Sequence, residues 1–426
     1  MVQGPHELLQ GGNTMFEDAS GAGFAALAEM FGPSRRADPY PDFKQLRTSQ
    51  PIWQPLEQLF VLSRHHDCSA VLRDVRFGHA DQEEFEALKS QRAGTDECTA
   101  DQRKRVRSFL GLNPPDHTRM RRLVSTAFTP RRVEELAPRI EQLTNELLAV
   151  ARTEDRPVDL IEALASPLPL ILISELLGVP LQDRDRLVAW SHAQARGLDP
   201  DFLLPTGVRE QQTRAREELG DYLHDLVTDR RRRPGTDLLS ALVAVHDQGD
   251  TLSEDELVAT CILILIAGHE TTSSLIGTGV LALLQNPDQF NRLSEEPELI
   301  EQAVEELLRY DSPIQLTLRA ALQDADIGDV AIPRNAFVLL LVGSANRDPD
   351  AYPDPDRLDI GRAAARHLAF GHGIHFCLGA PLARLEAQIV LRSLSRSTNN
   401  LRLAGQPVWK ENLVLRGLQH LPVDLS

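Results

Sequence analysis

The longest apolar run of the chain constrains its fold more than any other feature, because such a run must lie inside a protein core or a membrane. It extends from Leu257 towards Leu284, and Ser253 and Glu256 precede it with the spacing of a helix capping box. The polar residues 268–272 interrupt it before the roughly 20 apolar residues that a membrane span requires. The pattern therefore predicts a long, buried, central helix.

Three polar residues, Glu270, Thr271 and Thr272, fall inside this predicted helix. Burying them costs free energy unless they are hydrogen-bonded or take part in chemistry. An acid beside an alcohol can relay protons. A threonine can equally bond back to a carbonyl one turn earlier and bend the helix, so these residues alone leave both interpretations open. His269 points elsewhere around the helix, and we expect it to be a hydrogen-bonded structural residue.

A single cysteine, Cys377, stands between glycines just before another predicted helix. Pro381 is acceptable only in the first turn of that helix, which places Cys377 at its amino end. Unpaired amides there favour a thiolate, and the N–H groups of Leu378 and Gly379 could donate to the sulfur. A thiolate with no second ligand nearby suits haem iron, whereas the alternative is a small buried hydrophobic residue in a turn.

The stretch around this cysteine resembles the cysteine-ligand loop of the cytochromes P450, which has phenylalanine, glycine, cysteine and glycine at fixed positions. Phe370, Gly373, Cys377 and Gly379 occupy those four positions. The resemblance implies heme b with Cys377 as its axial iron ligand. It also implies that Phe370, Gly371 and Gly379 contact this cofactor.

Residues 267–272 resemble the oxygen-binding motif of the same family. The resemblance implies that Thr271 faces the oxygen-binding side of the haem, that Glu270 links it to solvent, and that Gly268 leaves room for oxygen. Glu270 and Thr271 would then be the catalytic pair that delivers protons.

The resemblance also implies a mainly α cytochrome P450 fold with small β regions. It further implies a single domain over residues 1–426, of which about the first 22 form a flexible segment. Strand-like texture is visible at residues 53–63, 331–332 and 337–342.

The two propionates of haem demand cationic partners when they are buried. By resemblance these partners are His117 and Arg121, four residues apart on one predicted helix, together with Arg319 and His375.

Glu306 and Arg309 form an E-x-x-R pair, a pattern that is weak by itself. Its place between the oxygen motif and the cysteine loop matches the family order. The resemblance implies a structural triad in which Arg357 is the second arginine.

Composition narrows the class of partner. The 426-residue chain has a formal net charge of −17 and a pI near 5.2, which argues against nucleic-acid binding. Its four cysteines form no C-x-x-C pair, which argues against structural zinc and covalently attached haem. Residues 1–22 show neither a signal peptide nor a membrane anchor, so we expect a cytoplasmic, monomeric protein.

The resemblance to soluble bacterial P450s implies a monooxygenase that draws electrons from NAD(P)H through a reductase and a ferredoxin. It would hydroxylate, epoxidise or oxidatively couple a medium-to-large small molecule, in natural-product biosynthesis. The alternatives are a peroxygenase that uses hydrogen peroxide and a non-enzymatic haem sensor. An acidic ferredoxin could dock by charge complementarity on a group of basic residues. These are Arg119, Arg122, Arg131, Arg132 and Arg384.

By resemblance, four stretches build the substrate pocket: residues 77–112, 190–204, 264–267 and 314–318. The first is long, polar and charged, which is typical of a mobile lid.

Overall fold

The computed structural model of this protein describes residues 22–80, 107–153, 157–199, 204, 207–246, 249–363, 366–397 and 401–425. Almost all of the predicted amino-terminal segment and most of the predicted lid, residues 81–106, lie outside the described residues. Helices dominate the described part and the sheets are small, which confirms the predicted fold class. The single-domain organisation stays a prediction.

The helices follow one another along most of the chain. They are α1 (Ala22–Met30), α2 (Tyr40–Ser49), α3 (His65–Arg73), α4 (Asp116–Ala127), α5 (Pro130–Glu134), α6 (Ala137–Ala151), α7 (Pro167–Leu176), α8 (Arg184–Arg196), α9 (Val208–Arg232), α10 (Leu238–Ala244), α11 (Glu254–Gln285), α12 (Pro287–Glu295), α13 (Ile300–Tyr310), α14 (Val342–Ala345) and α15 (Ala380–Ser397).

The strands are short. They are β1 (Ile52–Leu56), β2 (Leu59–Leu62), β3 (Phe77–Gly78), β4 (Val158–Asp159), β5 (Thr317–Ala321), β6 (Ala325–Ile327), β7 (Val330–Ile332), β8 (Phe337–Leu340), β9 (Arg402–Leu403), β10 (Val408–Trp409), β11 (Leu418–His420) and β12 (Pro422–Asp424).

The largest sheet of the described residues has the order β1-β2-β8-β5-β3. β2 and β8 pair in parallel, and the other neighbours are antiparallel. Alternate residues of β5 lie on opposite faces, because side chains alternate along a strand. Arg319 is buried in β5, whereas Leu318 is 44% exposed. The guanidinium of Arg319 therefore points from this sheet into the protein interior.

α11 begins with the predicted capping box. The Glu256 N–H donates to Ser253 Oγ at 3.2 Å, and the Ser253 N–H donates to Glu256 Oε2 at 2.8 Å. The helix packs against α7, α8 and α9, and also against α13 and α15. A stretch with a mean hydropathy of 1.4 makes it apolar enough to cross a membrane, but 67% of that stretch is buried inside the protein. The prediction of a buried central helix is confirmed.

The two ends of α11 lie in different apolar clusters. Leu265 and other residues of its first half pack with α7, α9 and α10, whereas Leu283 and its neighbours pack with α6, α12, α13 and α15. Both leucines are completely buried, and replacing such a residue by alanine costs about 2–5 kcal/mol. Residues 268–272 lie between these clusters, so packing at both ends fixes the position of the polar segment.

Candidate active site

The cysteine loop is shaped by its glycines. Gly371 and Gly373 have φ angles of 71° and 70°, a region that L-residues with a side chain rarely adopt. A Cβ atom on Gly373 would lie 2.4 Å from the carbonyl oxygen of Leu72, so no larger residue fits there. The Cys377 N–H donates to the Phe370 carbonyl at 2.9 Å and closes the loop, three residues before α15 begins.

Cys377 is solvent-accessible yet surrounded by enough protein that burial raises the pKa of its thiol. The backbone amides of Gly379 and Ala380 donate towards the sulfur and act against this rise, as do Arg121 and Arg384. Of the predicted donors, Gly379 is therefore one, but Ala380 takes the place expected for Leu378. A metal ion that binds the sulfur would hold the thiolate form.

Basic side chains come together beside this loop. We call the following residues the histidine–arginine cluster: His79, His117, Arg121, Arg319 and His375. The ring centroid of His375 lies 4.2 Å from that of His117 and 4.8 Å from that of His79. The two arginines and the other two histidines all act on the charge of His375. The structure thus brings together the four predicted cationic residues and adds His79.

The cluster lacks negative charge. Both ring nitrogens of His117 and of His375 are buried without a hydrogen-bond partner, as is Nε2 of His79. Burial and the neighbouring positive groups lower the pKa of His375 and of His79 to about 3, and burial lowers that of Arg319 to about 10. Within the described part of the chain, no carboxylate pairs with any of the five. Buried cations and orphaned donors of this kind require an anionic ligand.

These residues fit haem. Its two propionates would supply the anions, and Cys377, two residues after His375, would supply the thiolate ligand. Sequence reasoning missed His79, which follows β3 at the start of the predicted lid. No local pattern distinguishes it from a surface histidine, and only the pairing of β3 with β5 brings it to the cluster.

The hydroxyl of Thr271 donates to the Ala267 carbonyl, one turn earlier, at 2.5 Å. Ala267 is exposed, although it lies in the middle of the central helix, so this turn borders an open space. The next residue, Gly268, faces a different side of the helix. A Cβ atom there would lie 3.1 Å from the side chain of Ile173 on α7. One helical position turns Gly268 towards α7 while Ala267 is exposed, and the role of Gly268 in leaving room for oxygen stays a prediction.

Glu270 is buried, and it is held by basic groups. Lys410 Nζ donates to its Oε2 at 2.7 Å, and His192 Nε2 lies 3.3 Å from its Oε1. Burial alone would raise the pKa of this carboxyl, but Lys410, His269 and His192 together hold it below its ordinary value. Glu270 is therefore a carboxylate at neutral pH. The His192 side chain is 52% exposed and connects this carboxylate to the protein surface.

His269 is buried and hydrogen-bonds to Ser191 through Nδ1, at 2.9 Å, and to Ser166 through Nε2, at 3.1 Å. Burial lowers its pKa to about 4, so the ring is neutral at pH 7. These contacts agree with a hydrogen-bonded residue that fixes α11 against α7 and α8.

The predicted triad needs a correction. Glu306 and Arg309 are buried and form a bidentate pair, with Nε–Oε2 and Nη2–Oε1 distances of 2.7 and 2.9 Å. The second arginine at Glu306 is Arg362, whose Nε donates to Oε1 at 3.2 Å. The side chain of Arg357 is 62% exposed and pairs with Asp359, and only its carbonyl accepts from the other two arginines.

The physical reason is a turn that the sequence does not reveal. The Asp359 N–H donates to Glu306 and the Gly361 N–H donates to Asp359. The chain therefore folds back, and Arg362 rather than Arg357 faces inward.

Four apolar residues that are accessible lie in the predicted pocket stretches: Leu110, Leu198, Ala267 and Leu318. Trp190, the first residue of the second stretch, does not join them. It is 4% exposed, packs in the core between α8 and α9, and donates to Glu218 at 2.9 Å. The start of that stretch is therefore core, because the inward face of α8 meets α9 there.

Three of the basic residues predicted to receive a ferredoxin pair with carboxylates of the protein, and one of them is Arg131, which pairs with Glu135 at the surface at 3.1 Å. Arg119 pairs with Glu256 and Asp250. Arg384 binds Glu305 through two hydrogen bonds of 2.6 and 2.9 Å. These carboxylates reduce the positive potential around the arginines, and the role of the arginines in binding a ferredoxin stays a prediction.

The sequence model of the family described as Cytochrome P450 matches residues 79–397. The chain is 40% identical to the cytochrome P450 monooxygenase PikC of Streptomyces venezuelae, over 92% of each chain. It is 39% identical to the 6-deoxyerythronolide B hydroxylase of Saccharopolyspora erythraea, over 94% of this chain and 99% of that protein.

Among solved structures, ligand-free CYP164A2 of Mycobacterium smegmatis is similar with a TM-score of 0.85 and 42% identity, over 94% of this chain and 99% of that one. The mainly helical fold agrees with these comparisons. The chain therefore belongs to the cytochrome P450 family and is a P450 monooxygenase, an oxidoreductase that binds haem through a thiolate and takes electrons from an external donor.

Proposed function

We propose that this monooxygenase hydroxylates, epoxidises or oxidatively couples a medium-to-large, partly apolar molecule in natural-product biosynthesis. The histidine–arginine cluster carries the proposal, because the buried cation Arg319 has no carboxylate partner among the described residues and Arg121 acts on the charge of Cys377. The accessible residues Leu110, Leu198, Ala267 and Leu318 offer an apolar lining. The similarity to a protein named as a 6-deoxyerythronolide B hydroxylase supports a substrate of comparable bulk.

The haem, when bound, supplies the activation of dioxygen, and electron donation from a thiolate ligand favours O–O cleavage. The residues of this chain hold it in place. His117, Arg121, Arg319 and His375 would bind the propionates, and His79 adds a further donor. Gly371 and Gly379 would let the backbone of the cysteine loop approach the cofactor closely, and Phe370 would pack beside it.

Proton delivery is the second task of the protein. Glu270 Oε1 faces His192, which reaches solvent, and Lys410 holds Oε2. We propose that Glu270 receives protons from this side and passes them to the hydroxyl of Thr271. The hydroxyl already donates to the Ala267 carbonyl, so its oxygen is oriented to accept.

Electrons would arrive from NAD(P)H through a reductase and a ferredoxin, in the cytoplasm and to a monomeric enzyme. α4 touches the cysteine loop, because Arg121 donates to the Phe376 carbonyl at 2.5 Å. α5 packs against α15, the helix that follows Cys377. The exposed residues Arg122 and Arg132 on these helices are the positions where an acidic ferredoxin would bind.

The test combines substrate binding with turnover. We expect bulky natural-product scaffolds to shift the iron spin state of the purified holoenzyme, as followed by its absorption spectrum. The compounds that do so should be oxidised when NADPH, ferredoxin reductase and ferredoxin are supplied. Oxidation that occurs with hydrogen peroxide but not with the electron-transfer system would instead establish the peroxygenase alternative.

A further inference from the structure

One carboxylate oxygen of Glu270 has no hydrogen-bond partner. Its Oε2 is taken by Lys410, whereas Oε1 is buried and receives no hydrogen bond. His192 Nε2 lies 3.3 Å from Oε1, and His269 Nδ1 lies 3.9 Å from it. The Glu270 side chain is 4% exposed. The unpaired, buried carboxylate oxygen and the two imidazole nitrogens near it could act together as ligands of a cation. Binding a cation would give the buried oxygen the partner that it lacks.

We infer that His192 Nε2, His269 Nδ1 and Glu270 Oε1 form a binding site for a divalent transition metal, and that Zn²⁺ suits it best. Two imidazoles and a carboxylate, with a fourth position open, are a common ligand set for zinc. Zinc bonds of about 2.0–2.1 Å place tetrahedral ligands roughly 3.3 Å apart. The three atoms lie within 4.8 Å of one another, and the His192–Glu270 distance already has that value.

The surrounding contacts limit how the ligands can turn. Ser166 bonds Nε2 of His269 at 3.1 Å and Ser191 bonds Nδ1 at 2.9 Å, so a metal ion would take the place of Ser191 at Nδ1. Lys410 holds Oε2 and leaves Oε1 turned towards the imidazoles. The rings of His192 and His269 are nearly parallel, at 10° and a centroid distance of 5.9 Å. Such outer contacts fix the orientation of ligands and raise metal affinity.

The half-exposed His192 gives an ion access from solvent. Lys410 already compensates the charge of Glu270, so the ion brings positive charge that the protein does not neutralise. The site therefore binds zinc reversibly, and more weakly than a structural zinc site does. Since Glu270 is the proposed proton donor, zinc at Oε1 inhibits turnover. This inhibition depends on the proposed function, whereas the metal site does not.

The experiment is calorimetric titration of the purified, haem-loaded enzyme with Zn²⁺ alone. We expect the wild type to bind one equivalent that His192→Gln weakens by about 100-fold, because even the loss of an outer contact costs 10–100-fold. Glu270→Gln should have the same effect. The reduced carbon monoxide spectrum shows that each variant is folded and loaded.

His420→Gln is the matched control. His420 belongs to a second group of possible ligands with Asp159 and Glu162, but both oxygens of Asp159 are already hydrogen-bonded. This variant should bind zinc at the His192 site as the wild type does. Equal zinc affinity of His192→Gln and wild type, or no zinc binding by the wild type, overturns the inference. Zinc binding that depends on His192 but leaves turnover unchanged supports the site and contradicts the proton-donor role of Glu270.

Discussion

Five basic side chains lie together in this protein, with His117 and Arg319 buried and the other three partly buried, and none has a carboxylate partner in the described part of the chain. We propose that an anionic group of the haem binds there. A buried cation is stable only when it is paired, and the orphaned nitrogens of His117 and His375 have no acceptor among the described residues. Cys377 lies beside them in a position to bind iron. Single residues therefore decide both the binding of the cofactor and its chemistry.

Replacing Cys377 with Ala should abolish the red-shifted band of the reduced carbon monoxide complex, because that band requires a thiolate ligand. Cys261→Ala is the control, since Cys261 is buried in the apolar core around α11. It should keep the band. A red-shifted band in Cys377→Ala would show that another residue binds the iron.

Arg319→Met should speed the loss of haem from the purified enzyme roughly 30-fold, because a hydrogen bond to a charged group contributes about 2 kcal/mol. Transfer of haem to an excess of apomyoglobin measures the rate. Arg357→Met removes an exposed arginine and should leave it unchanged. Identical rates in the two variants would contradict the assignment of Arg319 to a propionate.

Thr271→Ala should divert electrons from product into hydrogen peroxide, because the hydroxyl that hands on protons is lost. Haem content should not change. The ratio of NADPH consumed to product formed measures the effect, and Thr271→Ser, which keeps a hydroxyl, should remain largely coupled. A fully coupled alanine variant would rule out the proposed relay.

At the scale of elements, the packing of helices fixes the position of segments whose polar groups cost free energy to bury. α11 is fixed by apolar clusters at both ends, so the polar residues between them are held beside the cleft. The segment from Pro353 to Arg362 is held by Glu306 and Arg309 of α13, which bind its backbone and its last arginine. This segment leads to the cysteine loop, so α13 indirectly positions Cys377.

Arg362→Ala should lower the free energy of unfolding by about 2–3 kcal/mol, because it removes one partner of a buried ion pair while Arg309 still holds Glu306. Arg357→Ala should change it by less than about 0.5 kcal/mol, as exposed pairs do. Denaturant unfolding of the holoenzyme measures both. A larger loss of stability in Arg357→Ala than in Arg362→Ala would show that Arg357 is the second arginine of the triad.

At the scale of the whole molecule, the net charge of −17 makes local positive surface near the cysteine loop significant. Arg119 and Arg384 pair with carboxylates, whereas Arg132 of α5 is exposed, and we propose that an acidic carrier binds there. Charge complementarity chiefly raises the rate of encounter, and salt screens it.

Arg132→Glu should weaken ferredoxin-dependent turnover several-fold at low ionic strength, with a smaller difference at high salt. Steady-state rates at increasing ferredoxin concentration measure it. Arg233→Glu makes the same charge change at the exposed end of α9 and should have little effect. Equal responses of the two variants would place the docking surface elsewhere.

The sequence by itself determined the elements whose cause is local. The capping box and apolar run were enough to predict α11, and the strand-like texture predicted β1, β2, β7 and β8. The cysteine loop could be predicted because the spacing of glycines and the start of a helix depend on neighbouring residues.

Only the tertiary structure decided which distant residues meet. It brought His79 to the cluster through β3, chose Arg362 over Arg357, and turned Gly268 towards Ile173. It also placed His192 and Lys410 on Glu270. The reason is physical: sequence periodicity gives the direction of a side chain relative to its own element, whereas its partners depend on how separate elements pack.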